Sequence, residues 1–449
     1  MTATPAQLVA AAADAARRYL DGVADRSVAP AEQAVAKLAE LTSDLPDAPL
    51  GAEEVLRQLD EIGSAATVAS AGPRYFGFVV GGALPAALGA SVLGAAWDQN
   101  SGYHALTPVG ATLDEIAMRW VVELLGLPAG VGGGFVSGAS TANSTCLAVA
   151  RDQVLIRAGW NALADGLVGA PPVRVIVGDE VHPTVLKGLG LIGLGRDRAV
   201  RLPVDEQGRI IPRDLPVIDG PTIVCLQAGN VNSGASDPFE PLIDWAHDNG
   251  AWVHVDGAFG IWAAAAPDRA GQVRGVQHAD SWATDAHKWL NTTYDSGIAL
   301  VREPEQLRAS MAMSAAYLVP TERREPAHYT PAMSQRARGV EVWAVLASLG
   351  RPGLAELVEN CCRLATRFAD GLRAEGFTIL NDVVLNQVVV TVEDGSIERI
   401  IDRVQREGTC WAGPTNWRGR QAMRLSLSNW STTEADVDKS IAAIAAARL

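Results

Sequence analysis

The 449-residue sequence lacks the features of a secreted, membrane-spanning or nucleic-acid-binding protein. No uncharged apolar run reaches the roughly 18 residues that a transmembrane helix needs. The N-terminus shows no positive segment followed by an apolar one, so we expect no secretion signal. With 37 basic and 51 acidic residues the net charge is −14, which argues against nucleic acid or an anionic membrane as the main partner.

Cysteine is also scarce. The five cysteines are an odd number and show no metal-ligand spacing, so we expect neither a disulfide framework nor a metal site. Reduced thiols buried in the core of a cytoplasmic protein are the interpretation that fits this pattern.

The chain divides into three regions by its pattern of apolar residues. Residues 1–71 predict an amphipathic helical arm that cannot bury its own apolar stripe. In residues 72–330, helical segments alternate with β-branched runs at 173–177, 222–226 and 252–255, which predicts an α/β domain with a mostly parallel sheet. Residues 331–449 predict a smaller α+β domain. Its last helix is expected to begin near Thr433.

Two residues in the second region suggest the chemistry. Asp256 ends an apolar run in His254-Val255-Asp256-Gly257, and Lys288 follows in Asp285-Ala286-His287-Lys288-Trp289. A lysine in apolar surroundings can form a Schiff base, and an aspartate can hold a pyridinium nitrogen protonated. This pairing predicts a pyridoxal phosphate (PLP) site at the carboxyl ends of the strands.

Two further segments are expected at the same edge of the sheet. Residues 132–143 form a glycine-rich stretch ahead of a helix predicted from Ser144, and such a helix N-terminus favours phosphate. His182, just past a strand, can stack on a flat ring. Each segment alone is equally compatible with an ordinary turn or a structural histidine.

The order of GASTAN, VHPT, HVDGAFG and DAHKW resembles the PLP-dependent group II amino-acid decarboxylases, a family that includes the aromatic-L-amino-acid and glutamate decarboxylases. The resemblance implies the fold of PLP-dependent transferases (fold type I). It also implies a homodimer with its active site at the subunit interface. The reaction that it implies is decarboxylation of an L-amino acid to the amine through an internal aldimine and a quinonoid intermediate.

The resemblance also assigns roles to residues. Lys288 would hold the cofactor, Asp256 would pair with its ring nitrogen, and His182 would stack on the ring. Either a tyrosine, Tyr329 with Tyr317 as the alternative, or His182 would protonate the substrate carbon. The remaining cofactor contacts would come from Gly138, Ala139, Ser140, Asn230, Ala258, Thr284 and His287. The substrate contacts would come from Phe76 and Phe78.

The sequence departs from the family's pattern in ways that leave the reaction open. Asp285 stands where relatives often have asparagine near the phosphate, and Thr284 is expected to take over that contact. Gly81 replaces a substrate-contacting hydroxyl of some relatives. Because the catalytic tyrosine is ambiguous, an oxidative deamination that gives an aldehyde is an alternative. Arg424 would favour a transaminase or lyase if it bound the carboxylate, although a structural ion pair is the favoured role.

Overall fold

The N-terminal region is helical and buries no core of its own. The computed structural model describes residues 3–41, 44–313 and 323–448. Helix α1 spans Pro5–Gly22, α2 spans Glu32–Lys37 and α3 spans Ala52–Gln58, with a π-helical turn at Leu59–Gly63. None of these three helices contains a buried residue. The sequence predicts that this arm packs on another subunit or on the main domain, and its three helices bury no residue within the chain itself.

The second region carries the main sheet and the helices that cover it. Its helices are α4 (Pro85–Trp97), α5 (Pro108–Leu124), α6 (Ala139–Arg157), α7 (Ala162–Asp165), α8 (Pro183–Leu191), α9 (Phe239–Asp248) and α10 (Pro304–Met311). Its strands are β1 (Gly132–Val136), β2 (Arg174–Gly178), β3 (Val200–Leu202), β4 (Thr222–Gln227), β5 (Trp252–Asp256), β6 (Ser281–Asp285) and β7 (Gly297–Val301).

Within the described residues these seven strands form one sheet in the order β1-β7-β6-β5-β4-β2-β3. Strand β7 is antiparallel to both of its neighbours, and the strands from β6 through β3 pair in parallel. Strands β4, β5 and β6 are buried along their whole length, as expected for a sheet covered by helices on both faces. The predicted mostly parallel α/β sheet is confirmed, and the carboxyl ends of β4, β5 and β6 lie side by side.

The third region packs a small antiparallel sheet against helices. It contains α11 (Arg338–Ala374), β8 (Thr378–Ile379), β9 (Gln387–Thr391), α12 (Ile397–Glu407), β10 (Gly413–Trp417), β11 (Arg420–Ser426) and α13 (Glu434–Ala446). Single 3₁₀ turns occur at Leu38–Leu41, Ser64–Ala66, Arg196–Arg198, Gly260–Ala265, Ala270–Val273, Val276–His278 and Pro326–Tyr329. The small sheet has the order β10-β11-β9-β8.

Helix α11 joins the two domains and is interrupted at Gly350, whose φ of 59° and ψ of −175° are not helical. Side chains on both sides of this break, including Val345 and Leu354, belong to the core of the large domain. The core of the small domain takes over from Leu364. The large-domain core therefore extends beyond the predicted boundary at residues 330 and 331.

Two other features agree with the sequence. All five cysteines are buried and unpaired. Among the described residues, no helix combines the length and the apolar character needed to cross a bilayer.

Thr433 caps α13 as the sequence predicts. Its hydroxyl accepts the amide of Asp436, and the Asp436 carboxylate accepts the amide of Thr433. We expect Thr433→Ala to lower the free energy of unfolding by about 1 kcal/mol, because one helix-end amide loses its partner. Urea denaturation of Thr433→Ala beside Thr433→Ser measures this. Equal stability of the two variants would contradict the capping role.

Candidate active site

Lys288 lies in the turn that follows β6, at the carboxyl end of that strand. Its Nζ is 3.0 Å from Oδ2 of Asp285, and 18% of its side chain is exposed. The neighbouring Trp289 and Leu290 are fully buried. The apolar environment that the sequence predicts for this lysine is therefore present.

Asp256 ends β5, the strand next to β6. Its carboxylate is buried and accepts the amide of Ala258 at 3.2 Å. It forms no salt bridge with any cation in the part of the chain that the structure describes. Burial raises the pKa of Asp256, while the nearby His182 and Lys288 act to lower it. A buried carboxylate without a direct cationic partner is costly, so this position suits a cationic ligand.

His182 sits at the N-cap of α8. Its pKa is lowered mainly by burial, and the charges of Asp256, Lys288, Arg424 and Asp285 also act on it. Each of these charged groups is therefore close enough to the imidazole to act on its pKa. The three residues that the sequence singles out for the cofactor, Lys288, Asp256 and His182, are brought together from three separate strand ends.

The glycine-rich stretch forms a turn at Gly138 and Ala139, at the start of α6, and this turn is called the cradle below. This helix begins at Ala139, five residues before the predicted start, so Gly138 is its N-cap. A Cβ atom on Gly138 would lie 3.2 Å from the ring of His287 and 3.3 Å from Oδ1 of Asp285. Glycine therefore keeps the cradle open. Ser140, in the first turn, is exposed.

Asp285 occupies this cradle. Its Oδ1 accepts the amide of Ala139 at 2.5 Å and lies 3.6 Å from Nε2 of His287. Side chains alternate along β6, so Thr284 faces the opposite side of the sheet, where its hydroxyl is buried without a hydrogen-bond partner among the described residues. The expected phosphate contact from Thr284 stays a prediction, and Asp285 is the residue that contacts the helix N-terminus.

Asn230 holds a turn and does not face the cluster. Its Oδ1 accepts the amides of Asn232 and Ser233, and its Nδ2 donates to the Glu180 carbonyl. Because these bonds occupy both ends of the amide, the geometry does not support the predicted contact with the cofactor's phenolic oxygen. The sequence missed this because an asparagine after a strand can equally form an Asx turn.

The two phenylalanines of the predicted substrate segment lie in different places. Phe76 is 1% exposed and packs edge-to-face on Phe368 in the core of the small domain, so the structure contradicts its predicted substrate contact. Phe78 is 66% exposed and stacks on Trp411, whose other ring neighbour is Tyr75. Trp411 escaped the sequence analysis because it lies more than 300 positions along the chain.

Gly81 packs directly on the lysine turn. A Cβ at this position would lie within van der Waals overlap of the Lys288 carbonyl oxygen. The glycine therefore allows a close backbone approach, which explains why a hydroxyl-bearing side chain is absent here.

Tyrosines near the site differ from those expected. The guanidinium of Arg324 lies 4.0 Å from the centre of the Tyr329 ring, and the backbone of Tyr329 packs against Gly134 of β1. Tyr317 lies outside the described residues. Tyr294, which the sequence analysis missed, has its ring 4.3 Å from that of His287. Although 59% of Tyr294 is exposed, partial desolvation and the charge of Asp285 act to raise its pKa.

Arg424 projects from β11 toward the cluster. Its Nη1 donates to the Val231 carbonyl at 3.3 Å, and within the described ranges it has no acidic partner. The favoured ion pair is therefore wrong. Its proximity acts to lower the pKa of His182.

The residues present fit PLP in most respects. The buried Asp256 suits a ring-nitrogen cation, Lys288 offers an amine, and the Gly138–Ala139 turn offers backbone amides to a phosphate. Asp285 is the one group that opposes an anion there. The sheet order and the site together define a PLP enzyme of fold type I.

Comparison with known proteins agrees. The pyridoxal-dependent decarboxylase conserved domain matches residues 36–393, so the chain belongs to that family. It is 27% identical over 331 residues to tryptophan decarboxylase 1 of Oryza sativa subsp. japonica. The aligned part is 68% of this chain and 64% of that enzyme. It is 27% identical over 362 residues to phenylacetaldehyde synthase of Arabidopsis thaliana, covering 74% of this chain and 72% of that protein.

The fold matches as well. The crystal structure of Oryza sativa TDC with PLP and tryptamine superimposes with a TM-score of 0.90, at 23% identity and over 99% of each chain. The N-terminal arm and the small domain therefore belong to the fold of that relative.

The cradle carboxylate gives a testable prediction. Asp285→Asn keeps an oxygen that can accept the Ala139 amide and removes the charge that opposes phosphate. We expect it to tighten PLP binding to the cofactor-free protein, relative to the binding of pyridoxal, by about tenfold, equivalent to about 1.4 kcal/mol.

Pyridoxal, which lacks the phosphate, is the control ligand. Because Asp285 also pairs with Lys288, any effect on the amine changes both affinities alike, and only the affinity for PLP relative to that for pyridoxal should rise about tenfold in the same absorbance titration. An equal effect on both ligands would show that Asp285 does not oppose the phosphate.

Proposed function

We propose that this protein decarboxylates an L-amino acid of the aromatic class to its amine with PLP. The observation that carries the proposal is the convergence of Lys288 and His182 on the buried, unpaired carboxylate of Asp256. The names of relatives support the substrate class, as does the exposed Phe78 stacked on Trp411.

The residues of the site would each have a separate role in the reaction. When bound, the cofactor supplies an electron sink for the bond that breaks at the substrate's α-carbon. Lys288 would hold the cofactor through Nζ and release it to the substrate amine. The Asp256 carboxylate would keep the ring nitrogen protonated, because opposite charge offsets the cost of burial.

His182 and the cradle would fix the orientation of the bound cofactor. The imidazole of His182 would lie on one face of the cofactor ring, with Ala258 on the other. Gly138, Ala139, Ser140 and His287 would bind the phosphate. By orienting the substrate so that the bond between its α-carbon and its carboxylate is the one that breaks, these residues would favour decarboxylation over proton loss.

Oxidative decarboxylation to an aldehyde is the second candidate. Tyr329, the proposed proton donor, is covered by Arg324 and would have to leave it to reach the substrate. A site without a prompt proton donor leaves the reacting carbon open to oxygen. One of the relatives is a phenylacetaldehyde synthase, which supports this alternative.

Product analysis tests the proposal. Incubation with aromatic L-amino acids should release amine and CO₂ in equal amounts, without oxygen uptake. Lys288→Ala should abolish both CO₂ release and the visible absorbance of the bound cofactor, since no amine remains to hold it.

Aldehyde and peroxide in place of amine would establish the second candidate. No CO₂ from any amino acid, with cofactor bound to Lys288, would contradict decarboxylation altogether.

We also infer that two copies of the chain form a dimer through the arm and α4. Exposed apolar side chains are concentrated there: Val9, Leu20, Val35, Val55, Leu59, Val92, Leu93 and Trp97. An arm without buried residues gains its stabilisation from another surface. The resemblance to the group II decarboxylases implies that this surface is a second subunit.

Charge placed on α4 should break the dimer. We expect the native chain to sediment at twice its monomer mass and Val92→Asp/Leu93→Asp to sediment as a monomer, because two buried carboxylates would lack partners. Val168→Asp, at a position 94% exposed in a loop, is the matched control. A dimeric double variant would exclude α4 from the interface.

A further inference from the structure

A continuous chain of hydrogen bonds runs from the core of the sheet to His182. Its members lie on β5, β6, α6 and the start of α8, and the four innermost side chains are 1% exposed or less. The links are Trp252 Nε1–Ser281 Oγ (2.9 Å), Ser281 Oγ–His254 Nδ1 (2.9 Å), His254 Nε2–Asn143 Oδ1 (2.8 Å), Asn143 Nδ2–Thr184 Oγ1 (3.4 Å) and Thr184 Oγ1–His182 Nδ1 (2.7 Å).

The indole of Trp252 sets the direction of the chain, because an indole N–H can only donate. Ser281 accepts that bond, and its own hydrogen is free to reach Nδ1 of His254. Burial lowers the pKa of His254 to about 3, so this imidazole is neutral and carries one hydrogen. With Nδ1 accepting, the hydrogen is on Nε2, where it meets the carbonyl oxygen of Asn143.

The same order of donor and acceptor continues from Asn143 to His182. The amide nitrogen of Asn143 donates to the hydroxyl oxygen of Thr184, whose hydrogen then points at Nδ1 of His182. The backbone amide of Thr184 also donates to this Nδ1, at 3.3 Å. Two donors converge on one nitrogen, which therefore carries no hydrogen.

The opposite assignment of donors and acceptors along this chain of hydrogen bonds leaves a buried hydroxyl without an acceptor. Nδ1 of His254 would then donate to Ser281, which already accepts from Trp252. The hydroxyl hydrogen of Ser281 would be left without an acceptor among the bonds of the described residues. A buried donor without a partner costs about 1–3 kcal/mol.

We propose that Thr184, Asn143 and His254 are positioning residues that hold His182 as the tautomer with its hydrogen on Nε2. The ring nitrogen away from Thr184 is then a fixed hydrogen-bond donor. Such a donor suits a carboxylate oxygen of the substrate.

The assignment also separates two roles that His182 could play. A neutral imidazole with an Nε2 hydrogen can orient an anion, but donating its proton would leave an imidazolate. His182 therefore positions the carboxylate, and the proton for the substrate carbon comes from another group. This consequence rests on the proposed function, whereas the tautomer itself does not.

Nuclear magnetic resonance of the full-length, cofactor-free protein tests the tautomer. Long-range ¹H–¹⁵N correlations of ¹⁵N-histidine distinguish the two ring nitrogens, and His182→Asn assigns the signal among the seven histidines. We expect the native protein to show His182 with its hydrogen on Nε2 only.

Asn143→Asp is the decisive variant, because a carboxylate accepts from both His254 and Thr184 and turns the Thr184 hydrogen away from His182. We expect the share of the form with hydrogen on Nδ1 to rise above that of the native protein, although the Thr184 amide still donates to Nδ1. Thr184→Val should raise that form to a lesser extent, and Thr184→Ser, which keeps the hydroxyl, should match the native protein. If Asn143→Asp does not fold, the comparison of Thr184→Val with Thr184→Ser still tests the proposal.

A native protein with hydrogen on Nδ1 of His182 would overturn the proposal. A native pattern in both Asn143→Asp and Thr184→Val would also overturn it. Neither result bears on catalysis, since no cofactor is present. Conversely, an Nε2 hydrogen in a protein that releases no CO₂ would leave this inference intact and refute the proposed function.

Discussion

The buried carboxylate of Asp256 is the constraint around which the site is arranged. A negative charge in the interior is stabilised only by opposite charge or by hydrogen bonds. The protein supplies one amide from Ala258 and the more distant influence of His182 and Lys288. Burial still raises the pKa of this carboxyl group, so a cationic ligand beside Asp256 would stabilise its charged form.

The parallel strands explain why this cluster forms where it does. Strands β4, β5 and β6 end at one edge, so residues far apart in sequence become neighbours there. The same strands position the supporting hydrogen bonds, since Trp252 and His254 precede Asp256 on β5 and Ser281 begins β6. Core packing and site geometry are therefore produced by the same few residues.

Much of this could be predicted from sequence. Buried strands are recognisable from β-branched runs, and Asp256 and His182 each follow such a run. Lys288 follows β6, which carries no such run, and it was recognised from its apolar neighbours instead. Side-chain direction was harder to predict. Phe76 was misplaced because one position along an extended chain turns a side chain to the other face. Asn230 is bound by local backbone amides. Trp411 contacts Phe78, and Tyr294 contacts His287, through packing that the sequence pattern does not reveal.

Reductive trapping with borohydride tests the central claim most directly. The sequence has only four lysines, Lys37, Lys187, Lys288 and Lys439, so peptide mapping can locate a reduced pyridoxyl group without ambiguity. The structure predicts one group per chain, on Lys288, and its loss in Lys288→Ala. Labelling of another lysine, or of none under saturating PLP, would contradict the assignment of this site.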